Sequence, residues 1–269
     1  MICKDCGFKY EGKGECPACG SKNTVDEVIK TVACENAKAL SYGEKAVSRS
    51  SCEDDWQATF DNAERSMITL YGIMDNAVSK GTGFYLNYHG DNFYITNYHV
   101  IEDCEAVVGE LPSVVDLSRQ RYNIEVVAAD TINDLAALKL QVDIGGIANF
   151  QNRVALQLSD LSDVKIGQEV CTRGNPRNFS NVLTVGRISG LGNSDPVTAF
   201  NNFGSNKILV DITATHGSSG GAVCVKNGDV VGVVEAGTAD MPNQITCVSA
   251  FAVSQMLAGY MAKRNNKAR

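Results

Sequence analysis

From residue 67 onward, short apolar segments of strand length recur between Gly, Asn and Asp turns. They cover 67–74, 83–86, 93–95, 123–128, 135–140, 207–212, 222–225 and 230–234. This spacing predicts an all-β barrel domain. Helical patterns flank it. Val28, Ile29, Val32, Ala33, Ala37 and Leu40 fall at loosely helical spacing, with Thr24 or Asp26 as N-cap. The stretch 48–55 is polar and reads as a linker, 56–63 as a short helix entering the domain, and 249–262 as a closing C-terminal helix. The expected division is 1–23, a helical and polar linker over 24–60, the β domain over 61–262, and a basic tail over 263–269 that should be frayed and solvated. No internal repeat is visible.

The N-terminal piece carries chemistry of its own. Cys3-Lys4-Asp5-Cys6 and Cys16-Pro17-Ala18-Cys19 are two CxxC knuckles separated by nine residues. Each points two thiolates at one point, and together they complete a closed tetrahedral Cys₄ site. The reading is one structural Zn²⁺ per chain held by Cys3, Cys6, Cys16 and Cys19; two disulfides are the alternative. So short a module has no core, so the metal would supply its folding energy, on the order of 10–16 kcal/mol. It resembles the short zinc ribbons at the N-termini of many bacterial and archaeal proteins, whose roles run from nucleic-acid contact to protein docking. Lys4, Lys9, Lys13 and Lys22 are offset by Asp5, Glu11 and Glu15, which makes no phosphate-binding patch. A protein partner at the ribbon is the better expectation.

Charge and cysteine use narrow the class further. The net charge of −7 argues against nucleic acid as a partner. No run has the length of a membrane span, and no apolar signal-peptide core precedes the first knuckle. Of ten cysteines, six (Cys34, Cys52, Cys104, Cys171, Cys224 and Cys247) lie outside the knuckles with no regular spacing. Cys171 and Cys224 sit in apolar strand patterns, as buried reduced thiols do. A reducing, cytoplasmic location is expected.

Gly217-Ser218-Ser219-Gly220-Gly221 presents a serine on a tight turn between two apolar segments, with glycine N–H groups free to hold an oxyanion. A nucleophilic serine needs a base, and the chain has only three histidines, His89, His99 and His216. None follows Ser219, which excludes the α/β-hydrolase order. His216 is too near in sequence, and His89 lies in a polar hairpin loop. His99 leaves the 93–95 strand in a helical turn and is the candidate base. Asp134, at the head of the 135–140 strand, is the candidate orienting acid. Asp130 reads as a turn residue.

Gly81-Thr82-Gly83-Phe84, Thr96-Asn97-Tyr98-His99-Val100, Asn133-Asp134-Leu135-Ala136, Gly174-Asn175-Pro176 and the serine motif occur in the order and spacing of trypsin-like serine proteases. Over residues 63–260 the chain most resembles the HtrA/Deg branch. The resemblance implies a chymotrypsin-like double β-barrel with a C-terminal helix. It also implies a triad of His99, Asp134 and Ser219, with the oxyanion hole formed by the Gly217 and Ser219 N–H groups. His216 and Ser218 replace the proline and asparagine usual beside Gly217. Too few residues follow Met256 for the PDZ domain usual in that branch, and a cytosolic setting also departs from it.

In trypsin-like proteases the base of the S1 pocket lies six residues before the nucleophile, here Thr213. Thr213 and Ala214 imply a small, weakly polar pocket rather than one for Arg or Lys. Glu235 is read as solvent-facing; the alternative is that it lines the pocket. The expected function is a serine endopeptidase acting on peptide or protein substrates, targeted or regulated by the ribbon. The alternative is a degenerate protease fold serving as a protein-binding scaffold. Without the stiffening proline, the oxyanion loop is expected to be unsettled and the enzyme latent; constitutive activity with narrow specificity is the competing expectation.

Overall fold

The computed structural model describes residues 2–3, 24–25, 56–75, 77–112, 119–141, 153–160, 164–177, 179–192, 206–238 and 241–267. The chain divides into two compact units, Met1–Ser48 and Arg49–Arg269. In the first, β1 (Ile2–Cys3) pairs antiparallel with β2 (Thr24–Val25), Cys3 opposite Thr24. This two-residue ladder brackets both knuckles in sequence. Cys6, Cys16 and Cys19 lie outside the described residues, as do the expected helix over 26–47, the 48–55 linker, Cys34 and Cys52.

The second unit opens with helix α1 (Gln57–Ser66) and continues into two closed six-stranded antiparallel barrels. The first barrel contains β3 (Met67–Met74), β4 (Ala77–Tyr88), β5 (Asp91–Thr96), β6 (Ala106–Pro112), β7 (Arg119–Asp130) and β8 (Leu135–Leu140), closed in the order β3-β4-β5-β8-β7-β6. The second contains β9 (Glu169–Gly174), β10 (Val182–Leu191), β11 (Lys207–Asp211), β12 (Ala222–Val225), β13 (Val230–Thr238) and β14 (Met241–Ser249), closed in the order β10-β11-β14-β13-β12-β9. Helix α2 (Ala250–Lys267) follows. This is the double barrel with a C-terminal helix expected from the sequence.

Closure explains why such short strands suffice, because no barrel strand is left with an unpaired edge. Each barrel has its own core: Ile68, Leu70 and Leu138 in the first, Val170, Val210 and Ile245 in the second. A third cluster binds the barrels together through Phe84, Leu86, Phe93, Leu135, Cys224 and Val233, and receives Val253 and Leu257 of α2. The apolar 3.6-residue spacing of α2 therefore faces the barrel junction. The tail is not frayed as expected, for α2 runs on to Lys267. Arg264, inside it, pairs with Asp91 at 2.7 Å, which also holds the Asp91 carboxyl below its usual range.

Candidate active site

His99 stands in a 3-10 turn (Tyr98–Val100) directly after β5. Asp134 closes the β7–β8 turn. Thr96 of β5 is in register with Ala136 of β8, so the two ends emerge side by side. Asp130 shapes the turn by accepting from the Ile132 and Asn133 N–H groups, both at 3.1 Å. Asp134 itself has φ 55°, a left-handed conformation that Asp tolerates better than most residues. Fully buried Asn97 ties the two ends together, its amide donating to the Asp134 carbonyl at 3.0 Å.

Both carboxylate oxygens of Asp134 are used by His99. The His99 backbone N–H donates to Oδ1 at 2.8 Å, and Nδ1 lies 2.6 Å from Oδ2. An ionised carboxylate only accepts, so Nδ1 carries the proton and Nε2 is left with a free lone pair. The His99 pKa is raised, first by this hydrogen bond. Desolvation opposes it, and the charges of Asp134, Glu235 and Glu102 add to the rise. Nδ1–H donation fixes the tautomer a general base requires.

The serine turn can be accounted for peptide by peptide. The Arg177 N–H donates to the His216 carbonyl at 2.7 Å, and Thr82 Oγ1 donates to the Gly217 carbonyl at 2.7 Å. Gly221 N–H donates to the Ser218 carbonyl at 3.0 Å, and Thr82 N–H to the Ser219 carbonyl at 2.8 Å. The N–H groups of Ser218 and Gly220 bond to the Thr215 and Val234 carbonyls, both at 2.9 Å. Within 217–221, only the N–H groups of Gly217 and Ser219 have no acceptor among the described residues. A trans peptide points its N–H opposite to its carbonyl, so fixing the carbonyls of 216 and 218 fixes both free donors. Gly217 at φ 94° and Gly220 at φ 87° adopt backbone that a side chain would strain. A Cβ on Gly220 would sit 2.3 Å from Thr96 Oγ1, so the serine turn docks on the strand end that leads to His99. The loop expected from the sequence to be unsettled is thus braced by hydrogen bonds on every peptide carbonyl from 216 to 219.

Ser219 Oγ donates to the Glu235 carbonyl at 3.2 Å. It makes no hydrogen bond to His99. The Glu235 side chain departs from expectation: it is 18% exposed and ion-paired with Lys207 of β11 rather than solvent-facing. Thr213 is exposed and borders an open cleft with Val185, Gly186, Arg187, Asp211, Ile212 and Asn243. Ala214 packs against the second barrel's core. None of these side chains is a hydrogen-bond partner of His99, Asp134 or Ser219. His216 and His89 are exposed, His89 in the β4–β5 turn. Thr82, Asn175 and Arg177 position the serine turn without having been assigned any role from sequence. The signal for Thr82 was there: a hydroxyl between two glycines in an apolar strand, a polar group that must find a partner when buried.

The Trypsin-like peptidase domain profile matches residues 81–233, more than half of the chain. The chain belongs to the trypsin-like peptidase family. Within that family its relatives are of HtrA type. It is 31% identical over 162 residues to a probable periplasmic serine endoprotease DegP-like of Halomonas elongata, covering 60% of this chain and 30% of that protein. It is 32% identical over 165 residues to Protease Do-like 5, chloroplastic, of Arabidopsis thaliana, covering 59% and 49%. This trypsin-like peptidase chain therefore spans less than half the length of either relative. The serine endoprotease from Yersinia pestis superposes with a TM-score of 0.61 at 20% identity, over 77% of this chain and 67% of that one. An HtrA-type protease with tripeptide superposes at 0.60 with 18% identity, over 76% and 62%. Both share the fold.

Proposed function

We propose that this trypsin-like peptidase is a serine endopeptidase with Ser219 as nucleophile, His99 as base and Asp134 as orienting acid. The observation that carries this is the Asp134–His99 pair beside a serine turn with two free N–H donors. Ser219 Oγ would attack the scissile carbonyl while its proton passes to His99 Nε2. The Gly217 and Ser219 N–H groups would hold the resulting oxyanion. His99 would then protonate the departing amine, and a water molecule activated by the same imidazole would release the acyl group. The Lys207–Glu235 pair supports a small, weakly polar P1 preference over a basic one, because the Glu235 charge is already matched.

The test is labelling with a fluorophosphonate probe and hydrolysis of a casein-type substrate. Labelling at Ser219 and loss of hydrolysis by about 10³-fold or more in Ser219→Ala are expected. Wild-type cleavage by Ser219→Ala would overturn the assignment. One observation favours the scaffold reading instead: Ser219 Oγ turns to the Glu235 carbonyl and not to His99. A wild-type chain that takes up no probe would decide for it.

For the N-terminal piece the proposal is a closed zinc ribbon that docks a protein partner and so targets or regulates the peptidase. Four thiolates in two CxxC knuckles suit a tetrahedral structural ion. A cytoplasmic setting is proposed with it, supported by the free buried thiols of Cys171, Cys224 and Cys247.

A further inference from the structure

Helix α1 is linked to the serine turn by a chain of polar contacts. Its inner end is Thr82, fully buried. Thr82 Oγ1 donates its one proton to the Gly217 carbonyl and accepts from Asn175 N–H at 3.0 Å and Nδ2 at 3.3 Å, which exhausts the hydroxyl. Asn175 is fully buried as well, and its Oδ1 accepts from the Asn181 N–H at 3.2 Å. Its carbonyl oxygen packs so close to Gly217 that a Cβ there would lie 2.3 Å away. Two residues on, Arg177 N–H holds the His216 carbonyl. The connection between β9 and β10 therefore holds the 216–217 peptide directly, through Arg177, and the 217–218 peptide through Asn175 and Thr82 of β4.

The outer end of that connection is anchored by α1. Asn181, at φ 60°, receives Arg173 Nη1 on Oδ1 at 2.7 Å and donates Nδ2 to Glu64 Oε1 at 2.6 Å. Glu64 Oε2 completes the fork, 3.4 Å from Arg173 Nη2. Every member is oriented by its neighbour: the amide of Asn181 cannot flip without facing Arg173 with N–H and Glu64 with oxygen. The footing of α1 does not depend on Glu64. Thr59 Oγ1 donates to the Lys226 carbonyl at 2.6 Å, and Trp56 and Phe60 pack on the shared core. The helix can stay docked when the chain of contacts is cut.

We infer that Glu64 is a positioning residue for the serine turn, acting through Asn181, Asn175 and Thr82 on the Gly217 carbonyl between the two free donors, so that displacement of α1 is transmitted to that turn. The inference rests on the proposed peptidase reading for its kinetic consequence, but not for its structural one.

The test compares full-length wild type with Glu64→Ala, Glu64→Gln, Thr82→Val and Thr82→Ser. Hydrogen exchange over residues 213–220 should quicken by about tenfold in Glu64→Ala while exchange over α1 holds, as for a local opening. In a peptide amide assay, Glu64→Ala should lower kcat by about tenfold at unchanged KM, and weaken a peptide aldehyde, whose adduct carries the oxyanion, by the same factor. Thr82→Val, which leaves the Gly217 carbonyl and the two Asn175 donors without their buried partner, should cost about 10²-fold. Glu64→Gln, which keeps the acceptor for Asn181, and Thr82→Ser, which keeps the hydroxyl, should each restore kcat to within about threefold of wild type. Glu64→Ala added to Thr82→Val should cost little more than Thr82→Val alone, since both cut one chain. Unchanged exchange over 213–220 in Glu64→Ala would overturn the inference, even in a chain inert toward fluorophosphonate. So would losses that multiply in the double variant, or a Glu64→Gln as impaired as Glu64→Ala. A wild type that takes up no fluorophosphonate would instead remove the peptidase reading and leave the exchange result to decide on the relay.

Discussion

Replacing Asp134 by asparagine is the sharpest probe of the site, because the structure dictates how the new amide must sit. In the wild type, Oδ1 accepts from the His99 backbone N–H and Oδ2 from Nδ1. The backbone N–H can only donate, so the single oxygen of the introduced amide must face it. The amide NH₂ is then forced toward Nδ1, which must accept, and the proton moves to Nε2. The nitrogen that should take the Ser219 proton is already protonated. Asparagine also tolerates the left-handed backbone at φ 55°, so the fold should survive where other substitutions would strain it. By analogy with other serine triads the loss in kcat is about 10⁴-fold, equivalent to about 5.4 kcal/mol of barrier. The pH profile adds a second readout. Only neutral His99 acts as base, so kcat/KM rises as pH climbs through its pKa. That pKa is raised chiefly by the Asp134 hydrogen bond. The wild-type acid limb should therefore lie above the ordinary value of about 6.5 and fall in Asp134→Asn. The stability contribution has the matching sign: it is present in full below the unfolded histidine pKa and is lost as pH rises through the raised folded one. The assay is kcat/KM for a peptide amide from about pH 5 to 9, spanning the histidine range. Activity within about tenfold of wild type, or an acid limb that does not move, would refute the reasoning.

Glu235→Ala should destabilise the second barrel by about 3 kcal/mol, since it strands the mostly buried Lys207, and should also lower the His99 acid limb by removing a nearby negative charge. Urea midpoints test this: Lys207→Met combined with Glu235→Leu should recover most of the loss, and a single variant as stable as wild type would count against it. Purified chain should hold about one zinc, and chelation should unfold the ribbon while the barrel thermal transition barely moves. Absence of zinc together with Cys3 and Cys6 in disulfides would contradict both the ribbon and the reducing location.

Hydrophobic patterning and residue scarcity by themselves determined the all-β class, the bounds of β3, β8 and β12, and the candidates His99, Asp134 and Ser219. These were legible because apolar runs between turn residues report local backbone preference, and because three histidines leave little to choose from. The strands β6, β10 and β14 were not legible. β10 fully buries only Ile188 and β14 begins Met-Pro-Asn-Gln, so neither has a strand pattern of its own; each is held by neighbours on both sides of a closed barrel. The extension of α2 to Lys267 was hidden likewise, since Asp91, which receives Arg264, is distant in sequence. The inward turn of Glu235 depended on Lys207, and the setting of Gly217 on Thr82 and Asn175, all partners brought close only by folding. Local sequence can place a residue on a turn or a strand end. Which buried polar group satisfies which is decided by contacts between distant segments, and only the tertiary structure brings those segments together.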